Sequence, residues 1–141
     1  MVNMKDKDGK TLLYASYAAA TLGFLISLYL TLYHYIGIPL ACSTSGGLID
    51  CASVLNSPYA YILGIPMAVF GMIFFAVFLI LLYINNKDSI LIWNLIGIGT
   101  VVYLLDIEYI VGHICIWCTA VHVLVLALLV LTIYRMIHKK Q

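Results

Sequence analysis

Residues 113–135 read His113-Ile114-Cys115-Ile116-Trp117-Cys118-Thr119-Ala120-Val121-His122-Val123-Leu124-Val125-Leu126-Ala127-Leu128-Leu129-Val130-Leu131-Thr132-Ile133-Tyr134-Arg135. No Asp, Glu, Lys or Arg interrupts the run from Ile114 to Tyr134. A bilayer core of about 30 Å is crossed by about 20 helical residues, so this stretch reads as a membrane span. It must be helical, because lipid offers no partner to backbone polar groups left open by any other single segment. A Cys-x-x-Cys sequence sits at its start.

Upstream, charged residues are also missing from Thr11 to Ile49 and from Cys51 to Asn86. By length, the chain therefore reads as an all-α membrane protein, a four-transmembrane-helix bundle with spans at about 12–38, 60–84, 89–111 and 114–137. One integral membrane domain is expected over residues 1–141. Composition agrees: 65% of residues are hydrophobic and 9% charged, with mean hydropathy +1.09. A water-soluble domain carries about 25% charged residues, so that class is excluded. A net charge of +1 with no Lys/Arg cluster excludes nucleic acid as a partner. The first span exceeds the apolar core of about 7–15 residues found in a signal peptide, and no small-residue cleavage site follows it.

Orientation follows from the basic residues. Lys5, Lys7 and Lys10 precede span one, Lys87 separates spans two and three, and Arg135, Lys139 and Lys140 follow span four. An even number of spans puts all of them on one side, which the positive-inside rule makes the cytoplasm, together with both termini. Cys42, Cys51, Cys115 and Cys118 are then expected on the outer face, in a compartment where disulfides persist.

Local signals refine the picture. Residues 1–10 read as a polar, frayed start, and Tyr33, His34 and Tyr35 as rings at the outer headgroups. The 41–56 loop carries Ser43, Thr44, Ser45, Gly46 and Gly47, residues that make a connector flexible. Ser57-Pro58 is a helix-start signal, so a short interfacial helix is expected over about 58–63, ended by Gly64-Ile65-Pro66. Asn85-Asn86-Lys87-Asp88-Ser89 reads as a tight turn, and Gly97 and Gly99 as points where another helix comes close. Asp106 and Glu108 are expected to meet water where span three emerges; buried, they would be costly and functional.

The cysteines carry the chemistry. Residues three apart are neighbours on a helix surface, so Cys115 and Cys118 can form and break a bond with little backbone movement. The free amides and positive dipole at a helix start favour a thiolate. His122 continues the stripe of Cys115 and Cys118 at i+7. Its ring nitrogens can hydrogen-bond a carbonyl oxygen of a lipid-soluble quinone, whose two electrons and two protons match one dithiol. Phe70, Phe74 and Trp117 are candidate walls for such a ligand. Two alternatives stand beside this reading: a zinc site made by all four cysteines, and inert structural disulfides in a non-enzymatic four-span membrane protein such as a transporter subunit. The topology and the absence of further metal-spaced ligands favour no metal.

Cys42-x8-Cys51, Ser57 in Val-Leu-Asn-Ser-Pro-Tyr-Ala, Gly-Ile-Pro at 64–66, Val-Phe-Gly at 69–71 and Cys-Ile-Trp-Cys at 115–118 occur in that order. In this the chain resembles the vitamin K epoxide reductase family, in particular its small prokaryotic-type members. The DsbB family carries its two cysteine pairs in the opposite order. The resemblance implies a membrane thiol:quinone oxidoreductase that supports disulfide formation, a four-helix bundle around a menaquinone, ubiquinone or vitamin K type quinone. It implies that Cys115 and Cys118 are the active pair, with Cys118 beside the quinone. Cys42 and Cys51 become the shuttle pair, Cys51 forming a transient disulfide with Cys115. Ser57 matches the family's hydroxyl near the active cysteines, and His122 stands where vertebrate members carry a quinone-contacting tyrosine. Met67 stands where those members have an asparagine donor, which favours plain quinone reduction over epoxide reduction. Many bacterial relatives carry a fused thioredoxin-like domain. Here the resemblance implies a separate thioredoxin-fold (DsbA-like) protein as electron donor, at a prokaryotic plasma membrane.

Overall fold

The computed structural model describes residues 4–42 and 47–140, so Ser43, Thr44, Ser45 and Gly46 of the expected flexible loop lie outside the described residues. In chain order the elements are α1 (Met4–Ile36), α2 (Cys51–Leu55), a 3-10 turn (Pro58–Ala60), β1 (Tyr61–Ile62), β2 (Ile65–Pro66), α3 (Met67–Ile84), α4 (Lys87–Val111) and α5 (Ile116–Lys140). Segments Asp6–Ile36, Met67–Ile84, Lys87–Val111 and Ile116–His138 are long and apolar enough to cross a membrane. The protein is a multi-pass membrane protein built as an all-α bundle.

Each turn has a local cause. Asn85 takes the left-handed conformation at φ 58° and its N–H bonds the carbonyls of Leu81 and Leu82, which ends α3. The Asn86 side chain then accepts from Ser89 N–H and opens α4. At the other end of the molecule Gly112, at φ 77°, closes α4. The polar start is helical rather than frayed: α1 begins at Met4, with an exposed Lys10–Asp6 ion pair at 3.5 Å one turn apart.

The loop between α1 and α3 differs from expectation in one detail. Its short α-helix is Cys51–Leu55, capped by the Asp50 side chain on Ser53 N–H. The 58–63 segment is instead a single 3-10 turn running into a hairpin in which Tyr61 pairs with Pro66 and Ile62 with Ile65. Leu63 (φ 53°) and Gly64 (φ 80°) both adopt positive φ, the geometry that a two-residue hairpin turn demands. Pro58 starts a helical segment as read, but the reversal at 63–64 keeps it to one 3-10 turn.

The helices form a ring. α1 lies against α3 and α5, α4 closes onto α5, and the α3–α4 contact is lighter. Ala20, Phe75, Phe78, Leu82, Ile90, Val101, Val125 and Leu128 are the buried core. Close approach is set by small residues: Gly23 accommodates the Phe75 ring and Gly71 the Ser27 hydroxyl. Gly97 accommodates Phe74, since a Cβ added there would lie 2.6 Å from Phe74 Cζ and 3.2 Å from Val125 Cγ1. Gly99 meets nothing within 4 Å, contrary to expectation. Two residues further on is about 200° around the helix, so it faces away from the bundle. Leu22, Leu25, Ile80, Ile92 and Val130 are exposed apolar side chains on the outer faces, as lipid requires.

The Gly97 contact is testable. Gly97→Leu should overpack against Phe74 and cost about 1–3 kcal/mol, lowering the thermal unfolding midpoint in detergent, whereas Gly99→Leu should leave it unchanged.

Candidate active site

α4 and α5 are joined by a turn that sets the second cysteine pair in place. Gly112 N–H bonds Glu108 C=O at 2.9 Å, the chain reverses, and α5 begins at Ile116. Cys115 occupies the capping position: its carbonyl accepts from Thr119 N–H at 2.9 Å, and its sulfur accepts from Cys118 N–H at 3.2 Å. A sulfur thus does what a serine oxygen does at other helix starts. Both cysteines are free thiols, Cys115 fully buried and Cys118 partly so. Cys115 lies one residue outside the span. The Cys118 side chain hydrogen-bonds to it and the first-turn amides of Cys118 and Trp117 add to this, holding its thiol below the ordinary value against burial and the charge of Glu108.

The first pair is docked onto this turn by backbone. Cys42 and Cys51 form a disulfide with Cα atoms 5.6 Å apart. Just ahead of Cys51 a parallel β-bridge joins Ile49 to Ile114. Asp50 N–H bonds Ile114 C=O at 3.1 Å, Ile114 N–H bonds Leu48 C=O at 2.9 Å, and the His113 ring meets Gly47 C=O at 3.1 Å. Both strands of the bridge then run into a buried cysteine, Cys51 and Cys115. These two and Cys42 share one apolar cluster with Ile26, Leu30, Val54 and Leu55. α1 secures the rest of the loop. Tyr29 OH donates to Pro39 C=O at 2.9 Å and accepts from Ala41 N–H at 3.1 Å. Tyr33 OH accepts from Asn56 Nδ2 at 3.1 Å, and His34 Nδ1 lies 3.2 Å from Tyr61 OH. Of the rings read as headgroup anchors, Tyr33 and His34 therefore clamp the loop, and Tyr35 is exposed.

Inside the ring, next to this assembly, lies a cavity of about 250 Å³. Cys118, His122, Met67, Phe70 and Phe74 all line it. Ile73 and Ile96, exposed on the outer faces of α3 and α4, line it as well, so it opens toward lipid between the two lightly packed helices. His122 is 3% exposed and neither ring nitrogen has a partner. Ser57 is also buried with an unpartnered hydroxyl; its neighbours Val54, Leu55 and Ala60 line the cavity while Ser57 itself does not. Trp117 is set apart: its ring packs edge-on against Tyr29, centroids 5.3 Å apart, and its buried Nε1–H has no partner. Among the described residues no cluster of three or more His, Cys, Asp or Glu side chains is arranged to hold a metal ion.

Glu108 corrects the expectation that both acids meet water. Asp106 is exposed, but Glu108 is 9% exposed and its Oε1 is buried without a partner. Its inward position is not readable from sequence alone. Gly97, Val101, Leu104 and Glu108 fall on one helical face by their spacing, but Gly97 and Gly99 mark different faces equally well, and only the contact of Gly97 with Phe74 selects between them. The tyrosine clamp had no signal either, because it needs the loop's path.

A membrane-embedded bundle presenting two apposed cysteine pairs defines a membrane thiol–disulfide oxidoreductase. A model of the vitamin K epoxide reductase family matches residues 14–133, most of the chain and both pairs. The chain belongs to that family. No curated protein matches it.

Two outcomes follow from the docking. In a Cys42→Ala/Cys118→Ala background, Cys51 and Cys115 should be trapped as a disulfide by mild oxidation. Adding Ile114→Pro removes one bridge hydrogen bond, worth about 1 kcal/mol, and should slow trapping about fivefold in a gel-shift assay. Asp50 is held below the usual carboxylate range, first by the Ser53 hydroxyl and then by the Ser53 amide. A depressed carboxylate contributes stability that is present at neutral pH and lost as pH falls through its folded value. Acidification below about pH 4 should therefore lower the unfolding midpoint less in Asp50→Asn than in the parent.

Proposed function

We propose that the protein is a thiol:quinone oxidoreductase that keeps an outer compartment oxidising, taking electrons from a separate thioredoxin-fold protein and delivering them to a quinone. The observation that carries this reading is that Cys118 belongs both to the dithiol and to the wall of the apolar cavity, with His122 one turn deeper and unpartnered. The residues present suit a quinone head: a lipid-facing opening, aromatic walls at Phe70 and Phe74, and a buried His122 ring with its hydrogen-bonding capacity unused. Ser57, one short segment away, supplies an unpartnered hydroxyl as a second polar group. The quinone supplies an acceptor for two electrons and two protons.

The chain's part is a disulfide relay. A reduced partner opens Cys42–Cys51, leaving oxidised itself. The Cys51 thiolate attacks Cys115 of the Cys115–Cys118 disulfide; the Cys51–Cys115 bond forms and Cys118 departs as a thiolate with the bonding pair. Cys42 then attacks Cys51, restoring the loop disulfide and releasing Cys115. The arrangement seen, loop pair joined and Cys115 and Cys118 free, matches the stage after this exchange. Cys118 faces the acceptor cavity, and Cys115, buried against Cys51, faces the loop. His122 orients a carbonyl, while Trp117 and Tyr29 close the loop side against water. With all basic residues on the cytoplasmic side, both cysteine pairs work on the outer face of a prokaryotic plasma membrane.

The test is quinone reduction by purified protein in detergent. Cys115→Ala and Cys118→Ala should abolish turnover with every donor. Cys42→Ala and Cys51→Ala should stop turnover with a protein donor but spare a small dithiol that reaches Cys115. His122→Phe should raise the KM for quinone about tenfold, the equivalent of 1.4 kcal/mol. If all four cysteine variants still oxidised the protein donor, the relay would be wrong.

A further inference from the structure

Glu108 has no part in the relay, yet it is a buried acid at the same end of the bundle. Its carboxyl is nine-tenths buried, with Oε1 unpartnered. The Gly112 reversal folds the following residues back toward it, turning the Cys115 amide to the side of the carboxylate. Its charge acts on both Cys115 and Cys118. We propose that Glu108 is the acid–base partner of the Cys115 thiol, taking the thiol proton when Cys115 becomes a nucleophile and returning it when Cys115 is released from a disulfide.

The physical basis is the cost of two adjacent negative charges away from water. A carboxylate and a thiolate side by side cannot both be charged cheaply, so the pair holds one proton between them and titrates as a unit. The exchange is Glu–COO⁻ plus Cys–SH giving Glu–COOH plus Cys–S⁻, with no change in electrons. When Cys42 attacks the Cys51–Cys115 bond, Cys115 leaves with the bonding pair and the Glu108 acid protonates it. The reverse transfer precedes each attack by Cys115. Other ionisable groups nearby are otherwise engaged. Cys118 bonds to Cys115 from α5, Cys42 and Cys51 are joined in a disulfide, and Asp50 is held by Ser53 beside His113. Tyr29 and Tyr33 of α1 hydrogen-bond the loop, and His122 lines the cavity. Asp106, on α4 itself, is exposed.

The use of this proton in turnover rests on the relay proposed above; the sharing itself does not. It is read by following iodoacetamide alkylation of Cys115 against pH in Cys118→Ser protein whose loop disulfide is intact. With Glu108 present the rate should rise in two steps, the first from the state in which the carboxyl holds the proton. Glu108→Gln should leave one step, and Glu108→Asp should restore two. A single step in the protein that retains Glu108 overturns the proposal whether or not Glu108→Gln folds, leaving Glu108 only a charge at a helix start. In otherwise unsubstituted protein, Glu108→Gln should reduce dithiol-driven quinone turnover on the order of 100-fold, the low end of what a positioned acid–base group contributes; unchanged turnover there overturns the catalytic use. Two-step alkylation in a protein whose parent shows no quinone turnover would sink the quinone relay and leave the Glu108–Cys115 pair standing.

Discussion

Two backbone hydrogen bonds hold the functional end of this molecule together: Asp50 N–H to Ile114 C=O and Ile114 N–H to Leu48 C=O. They exist because the Gly112 reversal leaves residues just before α5 extended, with donors and acceptors free to pair. The pairing is parallel, so both chains leave the bridge in the same direction, one into α2 at Cys51 and the other toward α5 at Cys115. Apolar burial of both cysteines then completes the contact. Each such bond contributes only about 1 kcal/mol net. A loop held by a few of them, and by hydroxyls of Tyr29 and Tyr33, is fixed in place by contacts weak enough to release, which the proposed relay would require.

The bundle below is uneven in a way that makes room for chemistry. α1 and α3 meet closely where Gly23 and Gly71 remove side chains from the contact. α3 and α4 meet lightly, through Phe74 stacked on Trp93 with centroids 5.7 Å apart and the Trp93 Nε1–H bonded to Phe74 C=O at 3.0 Å. That contact pins the two helices at one level and leaves the cavity beside it. Farther along, Asn94 donates to Thr132 at 3.0 Å, a buried polar tie between α4 and α5. Among the described residues, buried polar atoms without partners lie on Ser57, Glu108, Trp117 and His122, around the cysteines and the cavity, and on Asn94 farther along the bundle. Leaving such groups unsatisfied is costly, and all but the Asn94 oxygen lie where the proposed quinone site and proton exchange would use them.

The sequence determined the class, the number of spans, the two cysteine pairs and the stripe of Cys115, Cys118 and His122, because hydropathy and helical periodicity are local properties of the chain. Asn85-Asn86 was legible as a turn and Ser57-Pro58 as a helix start for the same reason: the conformation of such residues depends on their own backbone preferences. Tertiary structure alone decided the rest. Gly99 and Gly97 look alike in sequence, and only the position of Phe74 separates them. The hairpin at 61–66 depends on Leu63 accepting a positive φ, which its type does not announce. Which of Asp106 and Glu108 turns inward, and which cysteine faces the loop and which the cavity, depends on how α4 rotates against α5 and where residues 47–50 dock. Those are contacts between segments distant in the chain, and no local pattern encodes them.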